Sequence, residues 1–464
     1  MKLSAKKSIF NVKDYGASAD GVTLDTCAVQ AAVEAAYENG GGRVVFSEGT
    51  YVLSTVFLRS GVEIYIPAET TVLGSLNFND YAPDEKVNYP LYQDASHSFF
   101  DCSMFVAKDC RDIAVCGEGV VDMRSVWDEE NVRNMVCRGA KCIAFKNCEN
   151  VRINGLTILN VTDLAVYFAG CVGVDVFDLK MRVYIDGISP DNSKNVRIEN
   201  CDVECGDDGI VFKSSYTLNK LDVCENIEVR NCRVKSRCNA IKFGTETNGG
   251  FMNILIENIE VRETRITGIA IESVDGAVID GVTIRGVTMV NVGSPIFVHL
   301  GKRLRAPEGT QIGAIRNVTL ENITAEGPYE PYECIEWNHA SFVVGDRLQY
   351  PWRFGFPSTA NFTAEDDWQI TSNVCGLNGY PLENITLKNV SLKLDGGVKE
   401  YERTVREEPM DYPEVFTYGR ILPASGIFFR HIDGLTLDNV KIDTYRKDAR
   451  EPFVFENVKG LRIL

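Results

Sequence analysis

Residues 195–204 read NVRIENCDVE, and residues 226–235 repeat the pattern as NIEVRNCRVK. In each, an Asn opens a run of branched apolar residues alternating with polar ones, a second Asn interrupts it, and the alternation resumes. Period-two alternation sends successive side chains to opposite faces of an extended chain, so each unit predicts two short strands joined by a tight bend. Further copies are NVRINGLTIL from Asn150, GVDVFDLKM from Gly173, NILIENIEVR from Asn253, AVIDGVTIRGVTM from Ala277, NVTLENITAE from Asn317, NITLKNVSLK from Asn384 and GLTLDNVKID from Gly434. Their starts lie 22 to 31 residues apart between Asn150 and Ala277 and are spaced more widely afterwards. One such unit cannot bury its apolar side alone, whereas stacking coil on coil does, and the expected fold class is an all-β solenoid. The asparagines Asn200, Asn231, Asn258, Asn322, Asn389 and Asn439 recur at one place in the unit. Asn tolerates a left-handed backbone there, and its amides can stack into a ladder. The sequons this creates, NVT at Asn317 and NIT at Asn384, read as structural turns rather than glycosylation sites.

The chain outside the repeats follows from this core. LDTCAVQAAVEAAYENGGG, opening at Leu24, predicts a helix with Thr26 as its cap and the glycines from Gly40 as its stop. A solenoid's open end needs such a cover, so residues 1–75 are expected to form the N-terminal cap and first rungs. Residues 76–464 then form the solenoid with loop insertions, the largest at about 327–373, as one continuous structural domain. The stretch from Tyr329 to Asn373 carries Trp337, Tyr350, Trp352, Phe354 and Trp368. It reads equally as the wall of a sugar cleft or as the buried packing of a loop.

With 464 residues the chain exceeds a single small core, a limit that stacked coils escape. Its formal net charge of -17 argues against nucleic-acid or anionic-membrane partners, which demand a basic face. The opening MKLSAKKSIFNVKDYG has no apolar signal core, and no run approaches the roughly 18 apolar residues of a membrane span. A soluble, cytoplasmic protein is expected. The 15 cysteines follow no metal-ligand spacing, and Cys148, Cys201 and Cys232 each follow an Asn within a rung, so they read as reduced, buried small hydrophobes. The histidines His97, His299, His339 and His431 are too scattered for a metal motif, and no metal or cofactor is expected.

The opening FNVKDYGASADGVTLDTCAVQAAVEAAYENGGG, with DGISPDNSKNVRIENC from Asp186 and GDDGIVFKS from Gly206, resembles the polygalacturonase-like enzymes of glycoside hydrolase family 28. That resemblance implies a single-stranded right-handed parallel β-helix with an N-terminal helix cap. It also implies an inverting hydrolase in which Asp207 is the general acid while Asp186 and Asp208 position and deprotonate water. Three elements depart from the family's pattern. Tyr184, Ile185 and Asp186 stand at its Asn-Thr-Asp, and Cys238, Asn239 and Ala240 at its Gly-His-Gly. Ala270, Ile271 and Glu272 stand at its Arg-Ile-Lys, so both cations that hold a galacturonate carboxylate are gone.

The chemistry also follows from register. Cleaving a glycosidic bond needs an acid for the leaving oxygen and a carboxylate to activate water or attack carbon. Aligning DGISPD from Asp186, DGIVFK from Asp208, NAIKFG from Asn239, TGIAIE from Thr267 and SPIFVH from Ser294 makes Ile188, Ile210, Ile241, Ile269 and Ile296 one inward column. Asp186 then falls below Asp208, about 4.8 Å away, and such like charges share or retain a proton. Lys242 falls beside Ala270, and Lys213 shares a column with Glu272 and His299, so that a Lys213–Glu272 pair across Gly244 is expected. The alternative for Lys213, Lys242, Glu272 and His299 is a solvated outer face. Tyr184, Lys213, Asn239, Lys242, Glu272, His299 and Arg303 are the candidate substrate-binding residues, with Lys302 and Arg305 beside the last.

The expected substrate is a plant cell-wall oligosaccharide from pectin or rhamnogalacturonan, trimmed from its end. A β-helix lyase or uronate epimerase, a noncatalytic carbohydrate-binding solenoid, and a galacturonan hydrolase despite the lost cations are the competing readings.

Overall fold

The computed structural model describes residues 8–125, 139–329, 370–407 and 413–464. The chain divides into two compact units, one of residues 1–203 with 217–219 and the other of residues 204–216 with 220–464. Both are built from coils of short parallel strands.

In the first unit the helix Thr26–Glu38 buries Val29, Ala32, Val33 and Ala36. Thr26 is not its cap. Asp25 takes that place without a side-chain cap bond, because its carboxylate accepts from the amides of Ser18 (2.6 Å) and Ala19 (3.1 Å). The Thr26 hydroxyl oxygen accepts from the Ser54 amide at 2.8 Å, so it ties the helix to the end of the strand Gly49–Leu53. The helix stops as expected. Gly40 and Gly41 have φ of 85° and 117°, and a Cβ on Gly41 would lie 2.9 Å from the Gly61 carbonyl oxygen. The coils above it stack in register: Ile64, Val115, Ile153, Val176 and Ile198 form one fully buried column, and Phe105, Ile143, Val166 and Ile188 another. Each buried branched or aromatic side chain contributes roughly 1.5–3 kcal/mol, which is what holds so regular a stack together.

The second unit repeats the logic with longer strands. Ile227, Ile254, Val282, Val318, Ile385 and Leu435 are successive register partners, each following the turn position of its coil. Ile210, Ile241, Ile269 and Ile296 form the expected inward column.

All six turn asparagines named from the sequence have positive φ, between 51° and 57°. Their amides form the expected ladder. Asn258 donates to Asn231 (3.3 Å), Asn389 to Asn322 (3.1 Å) and Asn439 to Asn389 (2.9 Å). Gly286, with φ of 66°, takes this position in the coil between Asn258 and Asn322, and there the amide chain is interrupted.

Thirteen cysteines of the described residues are free thiols, all buried except Cys27. Cys148, Cys201 and Cys232 point their thiols at the carbonyl two residues back, at 3.2–3.4 Å. Among the described residues no helix is long and apolar enough to cross a membrane. Trp337, Tyr350, Trp352, Phe354 and Trp368 lie outside the described residues, so the expected aromatic wall does too.

Candidate active site

The acidic pair Asp207–Asp208 sits in the bend before the strand Ile210–Ser214. The bend is tight: a Cβ on Gly209 would lie 2.3 Å from a Val234 methyl and 2.7 Å from the Ala240 carbonyl oxygen. Asp207 is half-buried, and its backbone carbonyl accepts from the Ser236 hydroxyl and, at 3.1 Å, from the Cys205 thiol. Those bonds hold the main chain, while Asp208 is held by its side chain. Only 4% exposed, Asp208 accepts at Oδ1 from Asn239 Nδ2 (2.8 Å) and the Asn239 amide (3.3 Å), and its Oδ2 faces Lys242 Nζ at 3.4 Å. The Asp208 carboxylate is therefore anchored, and Asp208 is the more deeply buried residue of the pair.

Asp186 belongs to the first unit. It is buried just before the strand Ile188–Asp191, with its carbonyl accepting from the Ala165 amide (3.0 Å). Tyr184 beside it is half-buried, and its amide donates to the Val161 carbonyl (2.9 Å). Asp191, at the end of the strand Ile188–Asp191, is fully buried and accepts the Tyr167 hydroxyl at 3.0 Å.

Lys242 is the hub of the second unit's charged cluster. Its ammonium lies 2.8 Å from Glu414, 3.4 Å from Asp208 and 3.8 Å from Glu272, and it is 2% exposed. Register puts it beside Ala270, as expected, and puts Glu272 beside His299. This face is nevertheless not solvated. The segment Glu414–Tyr418 folds back over it, packing Val415 and Phe416 against Cys238, Ile266, Ala270, Phe297 and Ile370, while Asn373 Nδ2 donates to the Val415 carbonyl at 2.8 Å. The reading of Lys213, Lys242, Glu272 and His299 as an open polar face is thus overturned by a covering segment from outside the repeats.

Sequence reasoning missed Glu414. It shares Lys242 with Asp208 and lies 3.4 Å from Asn239 Nδ2 through both carboxylate oxygens. Its only sequence signal is the apolar triplet Val415, Phe416 and Tyr418 in a charged inter-rung stretch, the mark of a segment that packs back onto the fold.

Three other expectations change. Lys213 does not pair with Glu272. A register shift falls between Phe212↔Phe243 and Ser214↔Thr247, so the Lys213 ammonium meets the Gly244 carbonyl (3.4 Å) and Glu246 Oε2 (3.1 Å). Arg303 donates to Asp275 Oδ1 (2.9 Å) and the Thr245 carbonyl (2.9 Å) with its side chain almost fully buried, so its guanidinium serves an internal carboxylate. His299 packs flat on Phe297, ring centroids 5.5 Å apart, with Nδ1 3.1 Å from the Tyr418 hydroxyl. Burial pushes its imidazole down to about 3, so it is neutral at ordinary pH and serves as a wall rather than a proton carrier.

Burial also raises the two glutamates. Glu272 is fully buried, and its oxygens accept no hydrogen bond among the described residues. Desolvation holds its carboxyl well above the usual range, Lys242 opposes the rise, and Glu414 and Asp208 reinforce it. Glu414 is raised for the same first cause, with Lys242 again opposing and Asp208 adding to the rise.

A family model described as glycosyl hydrolases family 28 matches residues 52–331, which include Asp186, Asp207 and Asp208. The chain belongs to this family. A second model, rhamnogalacturonase A/epimerase, pectate lyase-like, matches residues 9–74. The family 28 chain is 22% identical to the exo-poly-alpha-D-galacturonosidase of Dickeya chrysanthemi over 55% of its own length and 50% of that protein. It is 31% identical to the plasmin and fibronectin-binding protein A of Streptococcus pneumoniae over 34% of its own length and 21% of the relative, so it spans half or less of these two proteins. Among solved structures, the family 28 exopolygalacturonase of Yersinia enterocolitica superposes with a TM-score of 0.72 at 20% identity, covering 100% of this chain and 79% of that one. The fold of the family 28 chain is the right-handed parallel β-helix. Glu414 lies beyond the matched span.

Proposed function

We propose that the chain is a glycosidase that hydrolyses O-glycosidic bonds of pectin-type plant cell-wall oligosaccharides, from a chain end and with inversion. Asp207 is the general acid, and Asp186 and Asp208 position and deprotonate the attacking water. The observation that carries this reading is the asymmetry of the acidic pair. Asp208 is fixed by Asn239 and Lys242, as a carboxylate that orients water must be, whereas Asp207, next to it in the same bend, is only half-buried, as an acid that must reach a leaving oxygen has to be. Action at a chain end is supported by the printed names of the Dickeya and Yersinia relatives.

The test is a panel of short cell-wall oligosaccharides followed by reducing-end and ultraviolet assays. Reducing sugar without an ultraviolet-absorbing product is expected. Asp207→Asn should lower the rate by about a hundredfold or more, the usual loss when general acid help is removed. Unsaturated product, or an Asp207→Asn enzyme as fast as the wild type, refutes the assignment.

A further inference from the structure

The bend that carries the acid pair is joined to the bend of the next coil by a ladder in which one bond is rerouted. Where parallel strands pair, the amide and the carbonyl of one residue both reach the neighbouring strand, on either side of its register partner. One coil further on the rule holds: Asn239 pairs with Thr267, and the Thr267 amide donates to the Cys238 carbonyl at 3.2 Å. Counting back from Ile210↔Ile241 makes Asn239 the partner of Asp208. Half of their ladder is in place, since the Asn239 carbonyl accepts the Gly209 amide at 2.8 Å. The other half would send the Asn239 amide to the Asp207 carbonyl. It goes instead to Asp208 Oδ1 at 3.3 Å, the oxygen that also accepts from the Asn239 side chain.

A main-chain carbonyl left unmet away from water costs about as much as a lost hydrogen bond, so the diverted amide needs a substitute. Two side chains supply it. The Ser236 hydroxyl donates to the Asp207 carbonyl, and the Cys205 thiol, a weaker donor, reaches the same oxygen at 3.1 Å. Ser236 is fully buried and held on two further sides. Its hydroxyl oxygen accepts the Cys238 amide at 2.8 Å, and its own amide donates to the Thr264 hydroxyl oxygen at 3.3 Å. The hydroxyl is thereby aimed at the carbonyl that the ladder has left.

We infer that Ser236 is a positioning residue for Asp208: by standing in for the missing ladder amide, it keeps the Asn239 amide on the Asp208 carboxylate. This assignment takes the role of Asp208 from the function proposed above and adds a residue on which that role depends. Without the hydroxyl, the Asp207 carbonyl draws the Asn239 amide back into the ladder, and Asp208 Oδ1 loses one of its two donors. Ser236 works through main-chain groups, so its effect on the rate passes through Asp208.

The experiment uses the full chain and the oligosaccharide of the panel that wild type cleaves fastest. Ser236→Ala should lower kcat about tenfold with KM unchanged, since a displacement of about 1 Å is worth about a hundredfold and one lost bond moves the carboxylate less. Ser236→Thr keeps the hydroxyl and should restore most of the rate. In an Asp208→Asn background, Ser236→Ala should cost less than about threefold, because the carboxylate it positions is already gone. A merely structural Ser236 would cost the same factor in both backgrounds.

Equal factors in the two backgrounds overturn the assignment, as does a Ser236→Ala enzyme as fast as wild type, or a Ser236→Thr enzyme that melts like wild type and is as slow as Ser236→Ala. Each of these leaves the hydrolase reading standing. Should Ser236→Ala not fold, Ser236→Cys, with a weaker donor at the same place, replaces it in both backgrounds. A wild type that releases no reducing sugar from any member of the panel sinks both readings, so the two failures are told apart.

Discussion

Replacing Lys242 with Met tests whether the charged cluster is built around a single ammonium. The side chain is 2% exposed and faces Glu414, Asp208 and Glu272 at 2.8, 3.4 and 3.8 Å. Methionine fits the space but leaves three buried carboxyl groups without their cation. Removing one partner of a buried pair typically costs about 3–5 kcal/mol. The loss depends on pH with a defined sign. Glu272 and Glu414 already have raised folded-state pKa values, and Lys242 is the attraction that opposes the rise in both. Without it they rise further. A carboxyl that keeps its proton longer when folded than when unfolded contributes most at low pH, and its contribution is lost as pH climbs through the folded value. The variant should therefore be weakened by the full amount at about pH 8 and by much less at about pH 5. Urea unfolding of the full chain, followed by circular dichroism at both pH values, measures this directly. A penalty that is the same at both, or below about 1 kcal/mol at the higher one, would refute the account of Lys242 as the cluster's counter-charge.

Three further outcomes are expected. Asn258→Ala loses the amide bond to Asn231 and the polar side chain that lets Asn tolerate φ 57°, a conformation that costs an ordinary L residue about 1–2 kcal/mol; Asn258→Gly should cost clearly less, and equal penalties in thermal melts would remove the left-handed turn from the explanation. His299→Asn should leave the shape of the activity–pH profile unchanged between about pH 5 and 8, since burial keeps the native imidazole neutral throughout; a displaced acid limb would show that His299 titrates in that range. Brief maleimide labelling of the native protein, read by mass spectrometry, should modify Cys27 and spare the twelve buried cysteines of the described residues; rapid labelling of Cys148 or Cys171 would contradict the packing of the coils.

What could be read from the sequence follows the periodicity. The isoleucine column from Ile210 to Ile296, the left-handed asparagines and the N-terminal helix all come from local alternation or local turn chemistry, which neighbouring residues decide among themselves. The register of Lys242 beside Ala270 and of Glu272 beside His299 was legible for the same reason. The pairing of Lys213 was not. Between Phe243 and Thr247 the strand carries residues with no counterpart in Ile210–Ser214, and a bulge leaves no mark on an alternation pattern. Glu414 was invisible for a different reason. It is 175 residues from Asn239 in the chain, in a stretch without repeat character, and only tertiary packing brings it there. A face that alternation marks as outward can still be buried when a distant segment lies on it.

The Glu414–Tyr418 segment also bears on how the molecule comes into being. Coils lean mainly on the coils next to them, so a chain emerging from the ribosome can add rungs in sequence as each is synthesised. The clasp on Lys242 departs from this order, since it closes only after residue 414 has been made and has travelled back to strands laid down long before. Until then Lys242 has Asp208 and Glu272 but lacks its nearest carboxylate, and Ala270 and Phe297 lack the cover of Val415 and Phe416. Maturation of the site is thus a late event in translation, timed by chain length.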